Sequence, residues 1–351
     1  MTPADAPTPR SPRPNRRPRI GALVVTCALA ILACACGAGA GTSRSAADGT
    51  AAPPEKAAPG NSLPPLDSLH VNAPEPAKSA AGSDKRISEA RAASQGNPEA
   101  IEARALLGAE LYDAGQSAEA ERVYRELLAR NPEHVSSLVA LAQILIDRGD
   151  LDGAGAAIER ALKANANSIP ALQKKIALLV ARDQAAEAVS LAEKSVRLDA
   201  NSAALQAALG DAQRSFGDLP KAIDAYRKAV ALNPGWAPGW TRLGESLAEN
   251  GDAAEAQTAL GRALERNPES YPAYRALARL YFDNGQPEQA VVAWERALRL
   301  QPDRGEAHEG MAEALLAARR PAEARRHAEE AMRRGRDVHA LLEKIARAGT
   351  Q

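Results

Sequence analysis

The residue types able to do covalent chemistry are present in this chain but never in a working arrangement. Five histidines, His70, His134, His308, His327 and His339, are scattered and form no HExxH or comparable ligand pair, so no metal-activated water and no imidazole base beside a nucleophile can be read from them. The three cysteines, Cys27, Cys34 and Cys36, all lie near the N-terminus; the remainder of the chain has no thiol to act as a nucleophile or to form a disulfide. Glu329 and Glu330 are adjacent carboxylates without a pocket to desolvate them, which argues against general acid–base work. Glycine-rich stretches match no phosphate loop. The expectation is a non-enzymatic protein with no catalytic residue, metal site or cofactor. Recognition is the chemistry that remains. Eight of the eleven Phe, Trp and Tyr residues fall between Tyr226 and Trp294, and arginine and aromatic side chains dominate binding hot spots.

The elements that must position these residues follow from a period. Pro98, Pro132, Pro234, Pro268 and Pro302 stand at whole multiples of 34 residues, and the missing beats fall on Ala166 and Ala200. A repeat of this length implies a solenoid. With the proline as position 32, seven units begin at Ile101, Val135, Ile169, Ala203, Ala237, Tyr271 and Gly305. Position 20 is alanine in all seven units, from Ala120 to Ala324. Position 8 is small in all but the third unit, which has Ile176; position 7 is large and apolar in all but that unit, which has Lys175. Two closely crossing helices need a side chain with almost no bulk where their axes approach and a large one beside it. Glycine at position 15 (Gly115, Gly149, Gly217, Gly251, Gly285) can close a first helix in the left-handed conformation. Asn-Pro closes the second, because the residue before proline is pushed out of the helical region. Each unit is predicted to be helix, tight turn, helix.

On these residues the chain resembles the tetratricopeptide repeat family, whose W-x2-L-G-x2-Y, A-x3-F, A and P pattern is followed by Trp240, Leu243, Gly244, Leu247, Ala256, Leu260, Ala263 and Pro268. Tyr274, Leu277, Ala278, Tyr281, Ala290, Trp294, Ala297 and Pro302 follow it comparably. The resemblance implies an all-α, right-handed superhelical solenoid over residues 101–338. Residues 84–100 are read as an N-terminal half-repeat and 339–351 as a capping helix. Lys175, Asp183, Ala192 and Ser195 depart from the pattern, so packing in the third unit is expected to be the weakest.

Before the repeats, residues 1–36 have a secretory signal layout: five arginines against one aspartate, then an apolar run from Ile20 to Ala33. Ile31-Leu32-Ala33-Cys34 resembles the lipobox of bacterial lipoproteins, which implies lipidation at Cys34, with Cys36 as a competing site and a retained membrane anchor as the alternative. Residues 37–83 are rich in Ala, Gly, Ser and Pro and poor in large apolar side chains; this composition predicts a disordered tether with a reach of roughly 40 Å. The formal net charge is zero, and with the basic leader set aside the rest is mildly acidic, which disfavours nucleic acid.

The resemblance further implies that the first helices line a concave wall that takes an extended peptide or a partner's helix, with positions 2, 5, 9, 12 and 13 projecting into it. These include Tyr112, Gln143, Gln173, Asp211, Arg214, Glu245, Arg275, Arg279, Phe282 and Glu313. Tyr226, Trp240, Tyr274, Tyr281 and Trp294 occupy the family's packing columns. Trp236, Tyr271 and Phe282 do not, and Arg275 and Arg279 lie near the last two. The expected partner-binding residues are therefore Trp236, Tyr271, Arg275, Arg279, Phe282 and Arg214, with sealing of the joints between units as the alternative for Trp236 and Tyr271. The expected role is a scaffold or adaptor in the periplasm, anchored in the bacterial envelope through lipid, most naturally at the outer membrane. It would hold an envelope protein or peptide for assembly of a pilus, secretion, exopolysaccharide or peptidoglycan machinery. A structural subunit that self-associates, or packs constitutively in a larger envelope complex, is the alternative.

Overall fold

The computed structural model describes residues 63–69, 80–96 and 100–349; all belong to one compact unit, Lys56–Gln351. A helix α1 (Ala80–Gly96) precedes the repeats. The first helices of successive units are α2 (Ile101–Asp113), α4 (Val135–Asp147), α6 (Ile169–Ala181), α8 (Ala203–Phe216), α10 (Ala237–Glu249), α12 (Tyr271–Asp283) and α14 (Gly305–Ala317). Their second helices are α3 (Ser117–Arg130), α5 (Leu151–Ala164), α7 (Ala185–Leu198), α9 (Leu219–Leu232), α11 (Ala253–Arg266), α13 (Pro287–Leu300) and α15 (Pro321–Arg333); α16 (His339–Ala348) follows. Every first helix begins on the 34-residue beat.

The turn between paired helices is the same in each unit. Gly115, Gly149, Gly217, Gly251 and Gly285 have φ between 71° and 89°, and the next N–H reaches back to the helix end, as in Gln116 N to Leu111 O at 2.8 Å and Gln286 N to Tyr281 O at 2.9 Å. Asp183 and Arg319 hold the same left-handed conformation, at φ 60° and 58°, where a Cβ costs about 1–2 kcal/mol. The alternation of small and large side chains works within each pair: a Cβ built on Gly210 would lie 2.7 Å from the Tyr226 ring, and one on Gly244 2.6 Å from Leu260.

Each second helix packs on the first helix of the next unit, and first helices also touch one another, as α4 does α6 and α10 does α12. The first-helix side is thus the shorter, inner side of the stack. Its core has two large clusters, one running from Ile87 to Leu178 and one centred on units four to seven. Between them lies a thin, alanine-rich cluster of Ile176, Ala188, Ala192, Ala208 and Ala212. The third unit folds, but Ala192 stands where its neighbours place Ile158 and Tyr226, and Ser195 returns its hydroxyl to Leu191 O at 2.8 Å.

Two stretches differ from the tether expected over 37–83. Helix α1 begins at Ala80, and residues 63–69 are docked on the solenoid with a 3-10 turn at Leu66–Leu69. Leu63 and Leu66 are 6% and 3% exposed and join the C-terminal core. Average composition hid three leucines spaced three apart, and Pro64 and Pro65 lower the entropy lost on docking them. Among the described residues no helix is long and apolar enough to cross a membrane. The run from Ile20 to Ala33, Cys34 and Cys36 lie outside the described residues.

Candidate functional site: the first-helix wall

Three adjoining depressions run along the first-helix side from α6 to α14. The first, about 520 Å³, is lined by Lys174, Ile176, Asp211, Arg214, Arg242 and Glu249 among others. The second, about 380 Å³, shares Arg214 and Glu249 and adds Glu245, Arg275 and Arg279. A third, about 320 Å³, shares Arg279 and adds Phe282, Glu306 and Glu313. Shared walls make them one groove.

Its floor is a ladder of charges that crosses from unit to unit. Arg242 Nη1 lies 2.9 Å from Asp211 Oδ2. Arg214 grips Glu249 with two bonds of 3.0 and 2.7 Å and reaches Glu245 at 3.5 Å. Arg275 bridges Glu245 at 2.9 Å and Glu306 at 3.7 Å, and Arg279 joins Glu306 at 3.3 Å. In this ladder four arginines face four carboxylates, so the ladder itself carries no net charge. Burial pushes the Asp211 carboxyl above its ordinary range, while Arg242 and the Tyr226 hydroxyl, 2.6 Å away, pull it back. Burial lowers the Lys174 ammonium and, with Glu309 nearby, raises Glu313. At the N-terminal end Tyr112 donates to Asp147, which also accepts from Gln143 at 2.7 Å.

Arg214, Arg275, Arg279 and Phe282 are brought together in this groove. Two of the residues grouped with them from sequence are not. Tyr271 is 7% exposed, sealed at the joint to the next unit with the Arg304 guanidinium 5.6 Å from its ring centre. Trp236 is half-buried over Gly239 with the Arg242 guanidinium 5.5 Å from its ring centre, and is not among the residues that line the three depressions. Both stand at the start of a first helix, Trp236 just before α10 and Tyr271 as the first residue of α12.

Sequence reasoning missed Arg242 and Lys174, which occupy position 6, and did not single out Glu249 and Glu306, which sit in projecting columns 13 and 2. Position 6 lies one helical turn from positions 2 and 9, and that neighbourhood was the available signal. Nor were His308 and His327 expected to meet. Their Nδ1 atoms are 3.0 Å apart and His308 Nε2 is 2.9 Å from Pro302 O. Since the carbonyl can only accept, His308 carries its proton on Nε2 and His327 donates from Nδ1. Burial, and then the neighbouring His308, lower the His327 pKa. Among the described residues no three His, Cys, Asp or Glu side chains converge as a metal site.

Models of the tetratricopeptide repeat match residues 105–169, 203–246, 247–293 and 275–339. The chain is a tetratricopeptide repeat protein. Its fold is similar to a chain of the APC/C hetero-tetramer Cut9–Hcn1, with TM-score 0.61 and 16% identity, covering 77% of this chain and 54% of that one. This tetratricopeptide repeat protein thus spans about half the length of that relative. It is also similar to a tetratricopeptide repeat protein from Parabacteroides merdae, with TM-score 0.51 and 15% identity over 71% of this chain and 98% of the other. At such identities the likeness is one of fold. No curated protein matches the sequence.

Proposed function

We propose that this tetratricopeptide repeat protein is a non-enzymatic adaptor of the bacterial cell envelope, holding an extended peptide or a partner's helix along the first-helix wall of units four to seven. The observation that carries the reading is the continuous groove of partly exposed arginines, each paired to a carboxylate of a neighbouring unit. The more exposed pairs, Arg279 with Glu306 and Arg214 with Glu249, are worth only about 0–1 kcal/mol each, so a partner's carboxylates can replace them cheaply, and Phe282 supplies an apolar contact beside them. The partner best suited to a wall of mixed sign is a segment of mixed sign. Arg275→Glu together with Phe282→Ala should strip the partner from the full chain in co-purification from native envelopes while circular dichroism stays helical. An unchanged set of co-purifying proteins would overturn the reading.

Placement in the envelope rests on residues 1–36, with Cys34, or Cys36 in its stead, acylated and the protein held at the periplasmic face of a membrane, the outer membrane by preference. There the wall would serve assembly of a pilus, secretion, exopolysaccharide or peptidoglycan machinery. Cys34→Ala with Cys36→Ala should abolish lipid labelling and release the protein from the membrane fraction. If both persist, the anchor is not a lipid on these cysteines.

A further inference from the structure

The docked residues 63–69 lie away from the groove just described, between the second helices α11 and α13. Gln286 pairs with both backbone groups of Leu63: its Oε1 accepts from Leu63 N at 2.9 Å and its Nε2 donates to Leu63 O at 2.8 Å. Pro64 O accepts from Gln257 Nε2 at 2.6 Å and from the Tyr281 hydroxyl at 3.0 Å. Leu66 N donates to Gln289 Oε1 at 3.1 Å. Leu69 packs over Gly261, where an added Cβ would sit 3.2 Å from its Cδ2. Side-chain amides can pair an incoming backbone as a strand edge would, each both donor and acceptor, and the leucines fill the apolar floor.

The repeat itself shows that this slot is built. In the other six units position 25 carries a long charged side chain, Arg125, Glu159, Glu193, Arg227, Glu295 or Glu329; in the fifth it is Gly261. Position 19 in the neighbouring second helix is otherwise charged or glycine, and in the sixth unit it is Gln289. Between α9 and α11 these two columns hold an ion pair, Arg227 to Glu255 at 2.7 Å, and with α1 in place of a second helix Arg91 meets Glu119 at 2.8 Å. Between α11 and α13 both columns lose their charge, to Gly261 and Gln289, which leaves room for Leu69 and puts a backbone-binding amide at the edge of the gap.

We propose that the α11–α13 slot is a second peptide-recognition site, for a segment with leucine at its first, fourth and seventh positions and two prolines after the first, whose last four residues turn as a 3-10 helix. Residues 63–69 are its tethered ligand, a clasp that a partner segment of the same pattern displaces. Held by only ten further residues to α1, the clasp has an effective concentration on the order of millimolar, so the slot answers only to a partner that exceeds it. This site is independent of the first-helix wall.

The test uses a fluorescent peptide of residues 61–70 and the full chain with Leu63→Asp and Leu66→Asp, which empties the slot. Anisotropy should show saturable binding at least tenfold tighter than to the unaltered chain, lost when Gln257→Ala and Gln286→Ala are added. A full chain with residues 63–69 replaced by Gly and Ser gives a second emptied form. Arg275→Glu on the wall should leave the peptide's affinity unchanged, which separates this site from the proposed adaptor groove. No binding to either emptied chain, equal binding to the unaltered one, or indifference to the glutamine changes would overturn the proposal.

Discussion

Replacing Trp294 by alanine should cost about 3–5 kcal/mol, the range for removing a large buried ring. The indole is 2% exposed and lies so close to α14 that a Cβ on Gly310 would overlap it. It therefore joins the sixth unit to the seventh as well as filling the sixth. In a stack whose stability is a sum of repeat and nearest-neighbour terms, losing one joint frees everything beyond it. Hydrogen exchange should accelerate through α14, α15 and α16 while α2 to α5 stay as protected as before. A loss below about 1 kcal/mol in urea unfolding, far short of that range, would show that the joint does not rest on the indole.

Tyr226→Ala should be comparably severe, about 3–5 kcal/mol, because the ring is fully buried against Gly210. Tyr226→Phe separates the ring from its hydroxyl. The hydroxyl donates to Asp211 at 2.6 Å, and a hydrogen bond to a charged group is worth about 1.5–3 kcal/mol, so the phenylalanine variant should lose roughly that much and loosen the Arg242 rung of the ladder. The two variants also differ in pH response. Burial, and then the Asp211 charge, push the Tyr226 hydroxyl well above its ordinary value of 10.0. A raised folded pKa gives stability that is fully present below the unfolded value and is lost as pH rises through the folded one. Above pH 10 the unaltered protein should therefore lose stability more steeply than Tyr226→Phe, as read from melting temperatures at about pH 9 and about pH 11. Tyr124, pushed up to about 12 by burial and then Asp113, adds the same trend to both proteins and cancels in the comparison.

The parts of the molecule that were legible in the sequence are those the period repeats. Glycine at position 15, the small residue at position 8 and the large one at position 7 each answer a steric demand that recurs along the stack, so the column reveals the cause. The third unit illustrates this from the other side: Asp183 and Ala192 break their columns, and there the turn is strained and the core thins to alanine. What could not be read is what joins different columns. The charge ladder depends on which side chains of adjacent units meet across the wall, and His308 with His327 depends on how the paired helices of the last unit face one another. Tyr271 fits no packing column, which leaves it open between partner contact and a joint between units; its place at the start of α12 makes it the joint. The clasp was hidden by averaging, since Leu63, Leu66 and Leu69 are few among many alanines and prolines although their spacing places them on one side.

The central claim is that partners are held on the first-helix wall, and the most direct measurement is site-specific photo-crosslinking in the native envelope. A photoreactive residue at Arg279 or Phe282 in the full chain should give a discrete adduct that disappears when Arg275→Glu is added, whereas the same residue at Lys228, exposed on the second helix α9, should give none. Adducts as strong from position 228 as from the wall, or none from either wall position, would contradict it.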